Sequence, residues 1–363
     1  MMKISIYIRL LFLILFIFCF TLFAEQTDLR PYKLINADKL IVKKVNEEVV
    51  TNLIGKVHIF YGDTEFFADT ADIFEKQNIA RMWGNVQVFD DSLSLYADKI
   101  DYFRETEKLY LDGNVFAEEA HVDSTIRTFE ADHVEYFRNE REFYALDNVF
   151  SYDQRENIQA ECGRLNYYLN DGYGYLLVRP QLRLMDQDSL EISAEKIEYF
   201  KDYEKVVATF NVETVSGDFK INSDFLLYFA DEEKAIYQGN PSFISDFADA
   251  IAMEFQIYFG EQKISRAMLL DSCQVKFKTE NASEKNSWVS ADQIEFDFED
   301  GKITFCDAQF NVASYFHQEK TESRDFTINE ATGVRLLINI SEGNKIDTID
   351  MHRAVQGMYK FKK

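Results

Sequence analysis

The feature that most constrains this chain is a change of phase inside its strands. In the stretch Asp91 to Val115, DSLSLYADKIDYFRETEKLYLDGNV, Leu93, Leu95 and Ala97 alternate with Ser92, Ser94 and Tyr96. That is the period of two of a strand with one buried face. Past Ala97-Asp98 the apolar set moves to even positions, Ile100 and Tyr102. A one-residue slip sends every later side chain to the opposite face. The strand keeps both apolar sets in a core only if a bulge or corner bends it and carries it from one sheet to a second. A polar turn, Arg104 to Glu107, follows, and a second strand returns through Leu109 and Leu111 to Gly113-Asn114-Val115. The repeat is two kinked strands joined by a hairpin.

It recurs. Glu130-Ala131-Asp132-His133-Val134-Glu135-Tyr136, Ser193-Ala194-Glu195-Lys196-Ile197-Glu198-Tyr199 and Ser290-Ala291-Asp292-Gln293-Ile294-Glu295-Phe296 copy the first half. Weaker copies begin at Ala37-Asp38, Ala71-Asp72 and Ser223-Asp224. Gly55-Lys56-Val57, Gly84-Asn85-Val86 and Leu146-Asp147-Asn148-Val149 copy the second half. The acidic positions Asp72, Asp98, Asp132, Glu195, Asp224 and Asp292 are 26, 34, 63, 29 and 68 apart. Degenerate copies near Gly163 and Glu254 fill the two long gaps. A period near 30 in a β-patterned chain means stacked supersecondary units, here roughly 30 residues each. The predicted fold class is all-β: an elongated, solenoid-like open stack of kinked antiparallel strands in two facing sheets, with almost no helix.

The first 24 residues stand apart. Lys3 and Arg9 precede an apolar run, Leu10 to Phe23, that ends at Ala24 before Glu25. This predicts a secretory signal peptide over 1–24, the alternative being an uncleaved anchor. Without Lys3 and Arg9 the formal charge of −24 becomes −26, which argues against a nucleic-acid partner. The 33 Phe and 20 Tyr suit the filling of a thin sandwich or the lining of a greasy groove. Cys162, Cys273 and Cys306 remain after cleavage, an odd number that leaves at least one unpaired. Cys162 takes the place of the motif's Ala, and a Cys273–Cys306 bridge is one open alternative.

Residues 25–35 read as a leader, 36–312 as the repeat region with a seam near 166–183, and 313–363 as closing strands and a basic tail. Thr279 to Asn286 reads as a long polar hairpin loop. No catalytic residue, cofactor motif or metal site is expected. The five histidines are scattered without metal-ligand spacing, and neither a phosphate loop nor a nucleophile elbow is present. Asp98, Asp132, Glu195 and Asp292 occur once per repeat beside the kink, so they are expected to serve the backbone there.

The alternation of Ala-Asp-Lys-Ile-Asp-Tyr with Leu-Asp-Gly-Asn-Val behind a signal peptide resembles the LptA/OstA-like periplasmic proteins of lipopolysaccharide transport, over about residues 36–310. The resemblance implies an open β-jellyroll whose apolar interior takes lipopolysaccharide acyl chains, in a periplasmic bridge toward the outer membrane. It implies lipopolysaccharide or a related acylated lipid as ligand, and other jellyroll proteins of the same transport line as partners. The chain departs from the simplest members in having roughly twice their repeats. On this reading Leu93, Leu95, Ile100, Tyr102, Phe129, Val134, Tyr136, Leu190, Ile192, Ile197 and Tyr199 line the lipid groove, and no basic clamp for lipid phosphates is evident. The alternative is a structural β-solenoid scaffold with a packed core and only protein partners. Leu40, Ile41 and Val42 at one end, and Met358, Tyr359 and Phe361 at the other, are the expected assembly edges, by strand pairing.

Overall fold

The structure, a computed structural model, describes residues 32–90, 93–120, 123–155, 157–185, 190–217, 219–260, 263–278, 287–299, 302–318, 326–341 and 345–362. The stretches read as signal peptide and, up to residue 31, as leader, and the expected loop at 279–286, lie outside them. Two compact lobes form, one from residues 32–185 and 196–202, the other from 190–195 and 203–362. In chain order the strands are β1 (Tyr32–Asn36), β2 (Lys39–Val45), β3 (Glu48–Tyr61), β4 (Thr64–Phe74), β5 (Ile79–Asp90), β6 (Leu93–Phe103), β7 (Lys108–Ala120), β8 (Ile126–Phe137), β9 (Glu142–Asp153), β10 (Ile158–Tyr168), β11 (Tyr173–Leu177) and β12 (Gln181–Leu184). There follow β13 (Leu190–Ser193), β14 (Lys196–Phe200), β15 (Lys205–Val215), β16 (Phe219–Phe229), β17 (Lys234–Gln238), β18 (Ser242–Ser245), β19 (Ala248–Ile251), β20 (Glu254–Gly260), β21 (Lys263–Phe277), β22 (Ser287–Glu299), β23 (Lys302–Gln318), β24 (Phe326–Ser341), β25 (Lys345–His352) and β26 (Gln356–Lys362). The helical element among the described residues is a single 3-10 turn, Lys201–Tyr203. The chain is an all-β stack of kinked antiparallel strands.

In the N-terminal lobe every long strand bends once, and its two halves pair in different sheets. Residues 58–61 of β3 pair with β1, and residues 48–54 pair with β2. The bend propagates through β4 to β10. Directly opposed side chains therefore form rows. In one sheet Leu53, Ala71, Met82, Ile100, Leu111, Val134, Ala145, Leu165, Leu176 and Ile197 follow one another strand by strand, and all are buried. In the other sheet Ile59, Phe66, Val88, Leu95, Ala117 and Phe129 do the same. The two rows face each other. Burying each large aliphatic member is worth about 1.5–3 kcal/mol, and this core holds the sheets together.

The corner has one recurring geometry. Between β6 and β7, Tyr96 faces Phe116 and Lys99 faces Asp112, so Ala97-Asp98 stands against Gly113-Asn114-Val115. The extra residue is a bulge, and Gly113 and Asn114 both take the left-handed conformation, φ 77° and 46°. A Cβ on Gly113 would overlap the Asp98 carboxylate, which is why glycine stands there. The Asn114 side-chain amide donates to Asp98 Oδ2 at 2.8 Å. The same bond joins Asn85 to Asp69, Asn148 to Asp132, Asn211 to Glu195 and Asn311 to Asp292. The carboxylates thus accept from an asparagine amide on the next strand. Left-handed pairs alternate along the chain with single-residue corners, from Asp38 facing Gly55-Lys56 to Val334 facing Arg353-Ala354.

The C-terminal lobe repeats the plan. The β15–β16 and β21–β22–β23–β24 ladders bend in the same way, and Leu226, Tyr237, Phe255, Leu269, Ile294, Ala308 and Leu336 form its buried row.

Three details differ from the sequence reading. The corner in β4 is Ala68-Asp69, not Ala71-Asp72. Both dipeptides occur in Phe66-Phe67-Ala68-Asp69-Thr70-Ala71-Asp72, but only Asp69 meets the Gly84-Asn85 bulge. Asp72 instead lies in the straight run beyond, taking a hydrogen bond from Asn52. The first strand starts at Tyr32, inside the stretch read as leader. The repeat also continues past Ala313: β24 bends at Gly333-Val334 and splits its partners between β25 and β26.

Candidate functional site: the space between the sheets

The interior of the N-terminal lobe is the candidate site. Leu95, Val115, Ala117 and Phe129 from one sheet and Leu109, Leu111, Val134, Tyr136 and Phe143 from the other enclose an apolar gap. Its free volume is about 10 Å³, room for one water at most. At this gap the side chains leave no room for an alkyl chain, which is accommodated there only if they give way or the sheets part.

The sequence-derived candidates fall in three groups. Leu95, Phe129, Val134 and Tyr136 line the gap. Ile100, Tyr102, Ile197 and Tyr199 are buried on the same inner face but farther along the rows, and Leu93 stands half-buried at a strand end. Leu190 and Ile192, half-buried on β13, belong to the other lobe. Leu109, Leu111, Val115, Ala117 and Phe143 were missed. They sit on the strands that carry the left-handed pairs Gly113-Asn114 and Asp147-Asn148, whose phase has to be read from the return strand rather than from Ala-Asp.

At the turn ends of the strands the interior becomes polar. Glu119, Arg127 and Asp153 are opposed in one row of the first sheet. Arg127 donates from Nε to Asp153 at 2.8 Å and from Nη1 to Glu119 at 3.2 Å. Arg127 shares its face with Phe129, so the pair is buried beside the apolar gap, and removing one partner of a buried pair costs about 3–5 kcal/mol. A second group spans both sheets. Tyr32 and Tyr61 are opposed on β1 and β3, with ring centroids 5.1 Å apart, and Tyr61 meets Tyr102 of the other sheet edge-on at 5.7 Å. The Arg104 guanidinium lies 4.7 Å above the Tyr32 ring and donates to Asn78. Glu107 accepts from the Tyr102 hydroxyl at 2.8 Å and from Arg138 at 2.9 Å. Burial pushes the phenols of Tyr32 and Tyr102 well above their ordinary range, with Glu107 adding to the effect. Two arginines from successive hairpin turns converge here, a meeting that only the stacking of the turns creates.

The cysteines Cys162, Cys273 and Cys306 are free and buried. Cys273 and Cys306 sit on β21 and β23 with β22 between them, so the strand order separates the candidate bridge. Burial raises the Cys162 and Cys273 thiols to about 12, and neither is a nucleophile at neutral pH. At the outer ends, Leu40 and Val42 on β2 and Met358, Tyr359 and Phe361 on β26 are exposed, while Ile41 is half-buried. Each of these strands has a partner on one side in the ladders described, β3 and β24 respectively.

Comparison with known proteins bears on this geometry. Residues 34–205 match the family described as LptA/(LptD N-terminal domain) LPS transport protein, a span that coincides closely with the N-terminal lobe. No curated protein matches the sequence. Among solved structures, the chain is similar to LptH from Pseudomonas aeruginosa, described as the LptA homologous periplasmic component of the conserved lipopolysaccharide transport device. That match has 18% identity and a TM-score of 0.26, and covers 29% of this chain and 75% of the other.

Proposed function

From the match of residues 34–205 to the LptA/LptD N-terminal family, we propose that the chain is a member of that family and a periplasmic carrier in lipopolysaccharide transport to the outer membrane, holding acyl chains between the sheets of its N-terminal lobe. The observation that carries this reading is the pair of facing apolar rows, continuous across the strands of the lobe that matches the family. Apolar burial at about 25 cal/mol per Å² retains an alkyl chain without head-group contact, and a displaced row reseals once the lipid leaves. The role is binding and passage, not catalysis. A photo-crosslinker in place of Leu95 or Ile197, in cells, is expected to capture lipopolysaccharide. Failure at several inner positions of a folded, active protein would leave the interior as a packed core and favour the scaffold reading.

Partners follow from the ends. The exposed edges of β2 and β26 offer backbone donors and acceptors to another strand, so the chain assembles end to end, with itself or with another jellyroll of the same transport line. Removing residues 343–363 should abolish those complexes in sizing and pull-down experiments. A truncated chain that stays folded and keeps every complex rules out that edge.

A further inference from the structure

The polar group at the turn end of the N-terminal lobe has an unused capacity. Within it, Arg104 Nε and the Tyr32 hydroxyl are buried and have no hydrogen-bond partner. Buried polar atoms are almost always paired, and leaving one unpaired costs about 1–3 kcal/mol. Two orphaned donors within one cation–ring contact therefore mark a place where an acceptor is missing. Charge agrees with this. Arg138 pairs with the Glu107 carboxylate while Arg104 donates to the neutral Asn78, so these side chains bring two guanidinium groups and one carboxylate together, a net positive charge in a chain whose formal charge is −24. Position agrees as well. Tyr102 is directly opposite Leu109, and Leu109 opposite Tyr136, and the latter two line the apolar gap. An amphiphile with its alkyl chain in the gap would bring its polar end to these arginines.

We propose that Tyr32, Arg104 and Arg138 form a phosphate subsite that receives the anionic head of an acylated lipid whose chains occupy the gap. Arg104 lies over the Tyr32 ring when the site is empty and turns its fork toward the phosphate when it is filled. Arg138, held by Glu107, supplies a second positive charge. A guanidinium suits this task because its planar donors match phosphate oxygens in pairs. The inference rests on the carrier reading above and adds to it a preference for phosphorylated lipids.

The experiment compares binding, by the purified full chain, of a multiply acylated disaccharide bearing phosphates and of the same acylated disaccharide without them. The wild type should prefer the phosphorylated form. Arg104→Gln should weaken that form by about tenfold or more, the scale of a lost charge-assisted hydrogen bond, and leave the phosphate-free form within about twofold. Arg104→Lys should recover part of the loss. Tyr32→Phe, which removes the orphaned hydroxyl and keeps the ring, should cost the phosphorylated form a smaller factor and serves if Arg104→Gln fails to fold. Equal losses for both lipids, or no loss in folded variants, would overturn the subsite and leave the carrier reading standing. A wild type that binds neither lipid overturns both.

Discussion

The two lobes reach one architecture with different residues. In the N-terminal lobe three left-handed pairs open with glycine, Gly55, Gly84 and Gly113, and two with Asp147 and Val178; in the C-terminal lobe Phe210, Asp271, Phe310 and Arg353 take that place at φ 60–63°, with Gly239 as the exception. Phe210 and Phe310 point outward and are more than half exposed. The left-handed conformation costs a side-chain-bearing residue about 1–2 kcal/mol, so the C-terminal lobe carries that strain at corner after corner and still bends. The bend is therefore imposed by the count of residues across the bulge and by the apolar rows on either side of it. Glycine only relieves it. The interiors differ too. The N-terminal lobe faces Leu95, Ala117 and Phe129 toward its second sheet, whereas the C-terminal lobe has Thr214 and Ser314 at inward positions. The Tyr237 hydroxyl reaches Thr214 at 3.2 Å, a buried bond that ties the sheets together. One lobe is apolar at these middle positions; the other is pinned there.

Each lobe has its own tryptophan, Trp83 in the first and Trp288 in the second, so single-tryptophan variants follow the lobes separately in denaturant. The largest effect is expected from Ile100→Ala, at a side chain that is 0% exposed. It should cost about 2–5 kcal/mol in the Trp83 transition, and Ile294→Ala should do the same in the Trp288 transition. A shift of both transitions by either variant would show that the lobes unfold as one. Next comes Gly113→Val, expected to destabilise the first lobe by about 2–3 kcal/mol through backbone strain and overlap with Asp98. Its counterpart Phe310→Gly should stay within about 1 kcal/mol of wild type. If Phe310→Gly unfolds the second lobe, that side chain holds more than its corner. Thr214→Val should remove the Tyr237 bond for about 1 kcal/mol, read from the Trp288 transition. Its absence of effect would deny the pin.

The smallest effect is one of pH. Burial, then the hydrogen bond and charge of Asp231, raise Glu204 from 4.5 to about 7. The folded lobe holds a proton that the unfolded chain releases earlier, so the stabilising contribution is full below about 4.5 and is lost as pH rises through about 7. Solvent reaches this pair and screens it. A slight fall in C-terminal lobe stability between pH 5 and pH 8, as measured by the Trp288 transition, should vanish in Glu204→Gln.

Much of this architecture is legible in the sequence because strand alternation is local. The slip at Ala97-Asp98 and its copies announces the corner, and Gly113-Asn114 announces the bulge that answers it. The degenerate corner at Gly163, where its N–H bonds to the Val178 carbonyl at 2.8 Å, is visible through spacing alone. Where two Ala-Asp dipeptides lie three residues apart, the local signal is ambiguous, because only the opposing Gly84-Asn85 selects Asp69. The corner at Met253 also lacks the acidic side chain and shows through the spacing that places a copy near Glu254, whereas the corner at Val334 shows only in the ladder. The inner-face candidates Leu95, Phe129, Val134 and Tyr136 follow from alternation. The meeting of Tyr32 with Arg104 joins an edge strand to a hairpin turn of the opposite sheet, and no periodicity encodes it.

The alternation of corner types gives the chain a parity. Among the described residues the first layer, β1 and β2, carries a single-residue corner at Asp38, and the last, β25 and β26, carries the pair Arg353-Ala354. A bulge needs its opposite, so two like layers cannot be neighbours without losing the register on one side of the bend. The chain can lengthen or shorten only by whole hairpins, since loss of one strand would bring like corners together and reverse strand direction as well. For the same reason, copies joined through their ends fit tail to head. A head-to-head or tail-to-tail contact would set single against single or pair against pair, so any filament built this way has a direction.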